Sequence, residues 1–113
     1  MLEMKLEQAK RFGTQGLTRT LDFDLAKLVE EVGELAVEIQ INQGRLPESK
    51  GGDDGVLGEA VDVVNVALDI AFIAMAQTGD HSVDLMAQTL RDISEKKLAR
   101  WADKVAILEA SNY

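Results

Sequence analysis

Residues 58–76 read GEAVDVVNVALDIAFIAMA, and their reading decides the fold. Val61, Val63, Val64, Val66, Leu68 and Ile70 leave no polar face on a helical wheel. That pattern predicts a central helix covered on every side. Acids nevertheless interrupt it. Glu59 and Asp62 stand at i, i+3, on one side of the helix and about one turn apart, and Asp69 lies on the same side further along. An unpaired charge in such surroundings is costly. Glu59 can be explained as a first-turn acid helped by the helix dipole. Asp62 is a full turn deeper and fits that explanation less well. Asp69 reads as a buried structural partner for a lysine or arginine more readily than as a group supporting the metal ligands from behind.

A second acidic cluster precedes it. Residues 27–39, KLVEEVGELAVEI, carry Glu30, Glu31 and Glu34 as E-E-x-x-E, and 24 residues separate Glu34 from Glu59. Taken alone, E-E-x-x-E describes an ordinary solvated helix face, with Lys27 able to pair with Glu31 at i, i+4. Taken with E-x-x-D, it gains a different meaning. Two packed antiparallel helices can aim four carboxylates at one spot, where they repel unless a cation sits between them. Hard cations such as Mg²⁺ take oxygen ligands of this kind.

The rest of the chain supplies the frame. Residues 2–12 form a short helix with Leu2, Leu6 and Ala9 at helical spacing, ended by Gly13. The second helix runs from Leu21 or Asp22 to Gln43, capped by Thr20 or Asp22, with Gly44 just past its end. Its apolar stripe is Leu25, Leu28, Val32, Leu35 and Ile39, and Glu31, Glu34 and Glu38 fall together beside it. Residues 45–55, RLPESKGGDDG, are a loop short enough to make the two acidic helices antiparallel neighbours. The third helix starts at Gly55 or Val56, capped by Asp53 or Asp54, and ends near Thr78. A fourth, capped by Asp80 or Ser82, spans about 82–109, with the tail after Leu108 frayed. Val83, Met86, Leu90, Ile93 and Trp101 give it a partial stripe. Lys96, Arg100 and Lys104 share one of its faces, where they either hold phosphates or form a solvated surface. Trp101 and Phe12 read as core more readily than as base-stacking groups.

Composition bounds the function. A chain of 113 residues with 46% hydrophobic residues predicts one globular domain, 1–113, and the four helical segments make it all-α and four-helix bundle-like. So small a chain cannot cover an all-round apolar helix by itself, so a second copy is expected to supply part of the cover, giving a homo-oligomer. The net charge of −8 excludes nucleic acid and acidic membranes as partners. The absence of cysteine excludes disulfides and thiolate metal sites and agrees with a cytoplasmic location. Residues 1–10 have no apolar core of a signal peptide, and the apolar run 61–76 is shorter than the ~20 residues of a membrane span. His81, the single histidine, is not in a Glu-x-x-His arrangement, which argues against a ferritin-like redox site. No P-loop, G-x-G-x-x-G or Ser–His–Asp set is found.

E-E-x-x-E followed at this distance by E-x-x-D, on two helices of a small all-α chain, resembles the MazG-like branch of the all-α nucleoside triphosphate pyrophosphatases. The resemblance covers residues 20–100. It implies hydrolysis of nucleoside triphosphates to the monophosphate and pyrophosphate with Mg²⁺, or Mn²⁺ in its place. By motif position it implies that Glu31, Glu34, Glu59 and Asp62 are the metal ligands. Glu30 would bind a further metal or orient the attacking water, as the catalytic base. Lys96 and Arg100 would contact the substrate phosphates. Family members form dimers or tetramers, and this chain looks like a single-module version. Alternatives are a dUTP- or dCTP-specific diphosphatase, a phosphoribosyl-ATP pyrophosphohydrolase, and, from another class, a non-catalytic helical module that binds metal or nucleotide.

Overall fold

The computed structural model describes residues 2–14, 19–79 and 82–111. Asp80, His81 and the side chain of Phe12 lie outside that description. The described chain is all helical: α1 (Leu2–Thr14), α2 (Leu21–Asn42), a 3-10 turn (Glu48–Lys50), α3 (Gly55–Ala76) and α4 (Val83–Ser111). No described helix is long and apolar enough to cross a membrane.

Local chemistry sets the ends of these helices. Thr20 caps α2, its hydroxyl accepting from the Phe23 N–H at 3.1 Å, a contact of about 1 kcal/mol. Gly44, at φ 75°, turns the chain out of α2, and Gly79, at φ 89°, does the same after α3. At the start of α4 the Ser82 hydroxyl accepts from the Leu85 N–H at 3.4 Å. The C-terminal end differs from expectation. Helix α4 does not fray after Leu108 but runs to Ser111, whose hydroxyl donates to the Ile107 carbonyl at 2.9 Å.

Helices α2 and α3 form the most extensive pairing. Its register follows from three contacts. Glu38 meets Gly52, Glu31 and Glu34 meet Glu59, and Asp24 meets Asp69. Positions falling on α2 while rising on α3 are those of an antiparallel hairpin, as the short connection predicts. The connection itself is pinned: the Gly52 N–H donates to Glu38 Oε1 at 2.7 Å.

Helix α1 closes the other end. Leu6, Ala9, Phe72, Val83, Met86 and Ala87 are the buried core, built where α1 meets the end of α3 and the start of α4. An ion pair between Arg91 and Glu3 joins α4 to α1 beyond it. Arg19, just before α2, ties the same region together. It grips Asp69 through Nε at 2.8 Å and Nη2 at 2.9 Å, and Nη2 also donates to the Ala9 carbonyl at 3.1 Å. This confirms the structural role read for Asp69 and names its partner.

Two expectations about packing are corrected. The predicted α2 stripe is divided, with Leu28, Leu35 and Ile39 half-buried but Leu25 and Val32 exposed. Trp101 is not core: it is 64% exposed, on the distal part of α4 where Ile93 and Leu98 are exposed too. Helix α4 outruns the short α1 beside it, so only its first turns are covered. The radius of gyration, 17.5 Å, is well above the ~13 Å of a compact chain this long.

Gly51 and Gly52 offer a direct check of the pinned connection. A Cβ on Gly51 would lie 2.6 Å from Glu38 Oε1 and 2.7 Å from Ile41 Cδ1, whereas one on Gly52 meets nothing within 4 Å. Gly51→Ala is expected to lower stability by about 1–3 kcal/mol, and Gly52→Ala to change it by less than about 0.5 kcal/mol. Thermal melts of both variants compare the two values, and equal effects would refute the anchor.

Candidate metal centre

The α2–α3 register brings both acidic motifs to one level of the hairpin. Glu31, Glu34 and Glu59 each offer an oxygen within 4.8 Å of the others. Asp54, Glu59 and Asp62 do the same, so Glu59 belongs to both groups. Burial grades across them. Glu59 is buried, at 7% exposed, Glu31 and Asp62 are half-buried, and Glu34 and Asp54 face solvent. Three of the four motif carboxylates, Glu31, Glu34 and Glu59, share one group, and Asp62 joins them only through Glu59.

Their electrostatics are those of crowded like charges. Burial raises Glu31 above the ordinary 4.5, and the Glu34 and Asp62 charges raise it further, with Lys27 opposing. Burial likewise pushes Glu59 up to about 7, helped by Glu34, Asp62 and Glu31. The leading influences on Glu59 include no cationic side chain. Glu31 Oε2 and Glu59 Oε2 are buried without a hydrogen-bond partner.

Ten residues along α3, roughly 15 Å away, the chain handles the same difficulty differently. Asp24 and Asp69 are 3% and 6% exposed and share a hydrogen bond. Burial, then the Asp69 hydrogen bond and charge, push Asp24 up to about 6. Burial also acts to raise Asp69, but the Asp24 hydrogen bond and the Arg19 guanidinium outweigh it and hold Asp69 below the usual range. Of the two, Asp24 is the one that holds a proton to higher pH, and Asp69 keeps its charge facing Arg19.

The Glu59 group therefore has a crowded all-oxygen donor set and, among the described residues, two buried oxygens without a hydrogen-bond partner, with Lys27 acting on Glu31 at its edge. Those features fit a hard divalent cation of the Mg²⁺ type, for which carboxylate oxygens are the preferred ligands. Opposite oxygens in an octahedral Mg²⁺ shell lie about 4.2 Å apart. Oxygens within 4.8 Å reach such a span through small side-chain rotations.

The other predicted residues fall elsewhere. Glu30 is exposed and belongs to neither group. Its Oε2 takes Lys27 at 3.4 Å, so the i, i+4 pairing expected of Lys27 with Glu31 is replaced by an i, i+3 pair with Glu30. Lys96 and Arg100 lie on the exposed distal part of α4, which packs on α1 rather than on the carboxylate-bearing hairpin. Arg100 lines an open groove of about 270 Å³ there with Lys97, Trp101 and Lys104. Asp54 is the carboxylate that sequence reasoning read only as a helix cap. It occupies the cap position of α3 yet makes no side-chain capping bond. The signal was its proximity in sequence to Glu59, five residues before it. No known protein family, curated protein or solved structure matches the chain.

The raised Glu59 gives a signed pH prediction. Its proton contributes stability that is full below about 4.5 and lost as pH rises through about 7, because the unfolded chain releases that proton first. In chelator, Glu59→Gln is expected to gain in melting temperature relative to the native chain as pH rises from 5 to 8. Added Mg²⁺ is expected to stabilise the native chain at pH 8 and to leave Glu59→Gln nearly unmoved. A difference that stays constant across pH would refute the buried, cation-free environment assigned to Glu59.

Proposed function

We propose that the chain is a Mg²⁺-dependent nucleoside triphosphate pyrophosphohydrolase of the MazG-like class, working as a homo-oligomer. The observation that carries this reading is the convergence of Glu31, Glu34, Glu59 and Asp62, with Glu59 buried and its Oε2 unpartnered. A polyanionic substrate repelled by a net charge of −8 needs a counter-charge of this kind to approach the protein.

Divalent cations held there would neutralise phosphate charge and make water easier to deprotonate. The chain's own residues supply the rest. Glu31, Glu34, Glu59 and Asp62 would hold those cations and, through them, position the triphosphate. Glu30 is the candidate base. Lys27 engages its Oε2, leaving Oε1 to accept the proton of a water that attacks the α-phosphorus. The bond from that phosphorus to the bridging oxygen breaks, and pyrophosphate leaves with the electron pair. On this reading Lys96 and Arg100 reach the departing phosphates from a second copy, since within one chain α4 packs on α1. Exposed apolar rows support assembly: Leu25, Val29 and Val32 on α2, and Leu57, Val61 and Val64 on α3, repeat at i, i+4, i+7.

A second reading, a non-catalytic metal- or nucleotide-binding helical module, draws on the separation of the α4 cations from the carboxylates within one chain. Substitution separates the two. Glu34→Gln and Asp62→Asn are expected to fold normally by circular dichroism and to lose at least 100-fold of chelator-sensitive pyrophosphate release, about 2.7 kcal/mol in the barrier. Full turnover by both variants overturns the ligand assignment. Metal binding without turnover in the native chain favours the second reading.

A further inference from the structure

We propose that Asp24 and Asp69 form a proton-operated latch on α1. While a proton lies between the two carboxyls, Arg19 clamps α1 to the α2–α3 hairpin. When that proton leaves, Arg19 is drawn to the second charge and releases α1. The device is separate from the Glu59 carboxylates, since Asp69 lies ten residues further along α3.

Asp24 on α2 and Asp69 on α3 are 3% and 6% exposed and share a hydrogen bond. Ionised carboxylates only accept, so that bond exists only while one of the pair carries a proton. Arg19 spans the junction. Its Nε and Nη2 hold Asp69 Oδ2 and Oδ1 at 2.8 and 2.9 Å, and the same Nη2 donates to the Ala9 carbonyl of α1 at 3.1 Å. One nitrogen thus serves acceptors on two helices. Asp24 Oδ2 is buried without a hydrogen-bond partner, so a charge placed on Asp24 has to be met by a donor already in use. The Nη2 bond to Ala9 is the one such a charge would divert. Helix α1 yields rather than the hairpin, because α2 and α3 pair extensively and are anchored again at Glu38 and Gly52.

The charges around the pair set the direction of the response. Burial raises Asp24 most, and the Asp69 hydrogen bond and charge add to it. Arg19, just before α2, and Lys5, on α1, oppose them, and Asp24 ends at about 6. The Asp24 proton therefore contributes stability that is full below 3.8 and lost as pH rises through about 6. Asp69 is lowered, so its charge contributes stability above 3.8 that is lost as pH falls through its lowered value. The clamp is tightest between 3.8 and about 6 and loosens above that range.

Native-state amide hydrogen exchange on the full chain in chelator, corrected for the intrinsic pH dependence of exchange, tests the latch. Between pH 5 and pH 8 the α1 amides are expected to lose protection at least about tenfold more than those of the α2–α3 hairpin. Asp24→Asn keeps the side-chain shape and donates to Asp69 at every pH. It is expected to hold α1 protection at pH 8 near its pH 5 level. Glu59→Gln is expected to leave the α1 loss in place. Equal changes in α1 and the hairpin, an α1 loss that persists in Asp24→Asn, or one that vanishes in Glu59→Gln would each overturn the proposal. Carboxyl-carbon nuclear magnetic resonance on the native chain gives a check that needs no variant. Asp24 is expected to titrate near 6, with the α1 amide shifts following the same curve, and titration at the ordinary 3.8 would overturn the latch.

Discussion

A carboxylate taken out of water has to be protonated, paired or coordinated, and α3 buries two of them. At Asp69 the chain provides pairing: Arg19 sets two N–H donors on the charge, and Asp24 beside it is raised to about 6 by burial and by Asp69. At Glu59 it provides neither a lysine nor an arginine, and surrounds the group with further acids. Burying an ion without a partner costs several kcal/mol, so the contrast within one helix carries information. The protein can neutralise an acid with its own side chains and does so roughly 15 Å away. Glu59, with no basic side chain among its leading influences, is left to a proton or to an external cation.

The hairpin seam carries this logic at three levels. Glu38 is satisfied by a backbone N–H, Glu59 keeps a buried oxygen without a hydrogen-bond partner, and Asp69 takes an arginine. Each level fixes the register of α2 against α3, because a one-residue slip would strand a buried charge. The apolar core contributes less to this pairing, since its buried members lie on α1, α3 and α4 and none is on α2. Consequently the hairpin leaves apolar rows exposed on both helices and has an extended shape. Association of copies would cover those rows, and it would give the cationic end of α4 something to serve besides its own chain.

Much of this was legible in the sequence because it depends on local periodicity. Four helices, their glycine ends and the antiparallel pairing of the two acidic segments follow from apolar spacing, caps and a short connection. The convergence of Glu31, Glu34, Glu59 and Asp62 follows from i, i+3 spacing once the helices are paired. Other features depend on tertiary geometry that spacing does not encode. Arg19 is 50 residues from Asp69, and nothing nearby in sequence marks them as partners. Asp54 reads as a cap by position alone, and only the fold shows that its side chain makes no capping bond and lies near Glu59 and Asp62. Trp101 fits a helical stripe, but a stripe is buried only where a neighbouring helix reaches it, and α1 has 13 residues to the 29 of α4.

A crystal grown with Mn²⁺ and measured at a wavelength where manganese scatters anomalously bears most directly on the central claim. The account predicts a strong anomalous peak among Glu31, Glu34 and Glu59, with Glu59 Oε2 among its ligands. An empty carboxylate group at millimolar Mn²⁺ and pH 8, with Glu59 hydrogen-bonded as a neutral acid or paired with a basic side chain from another copy, would contradict it.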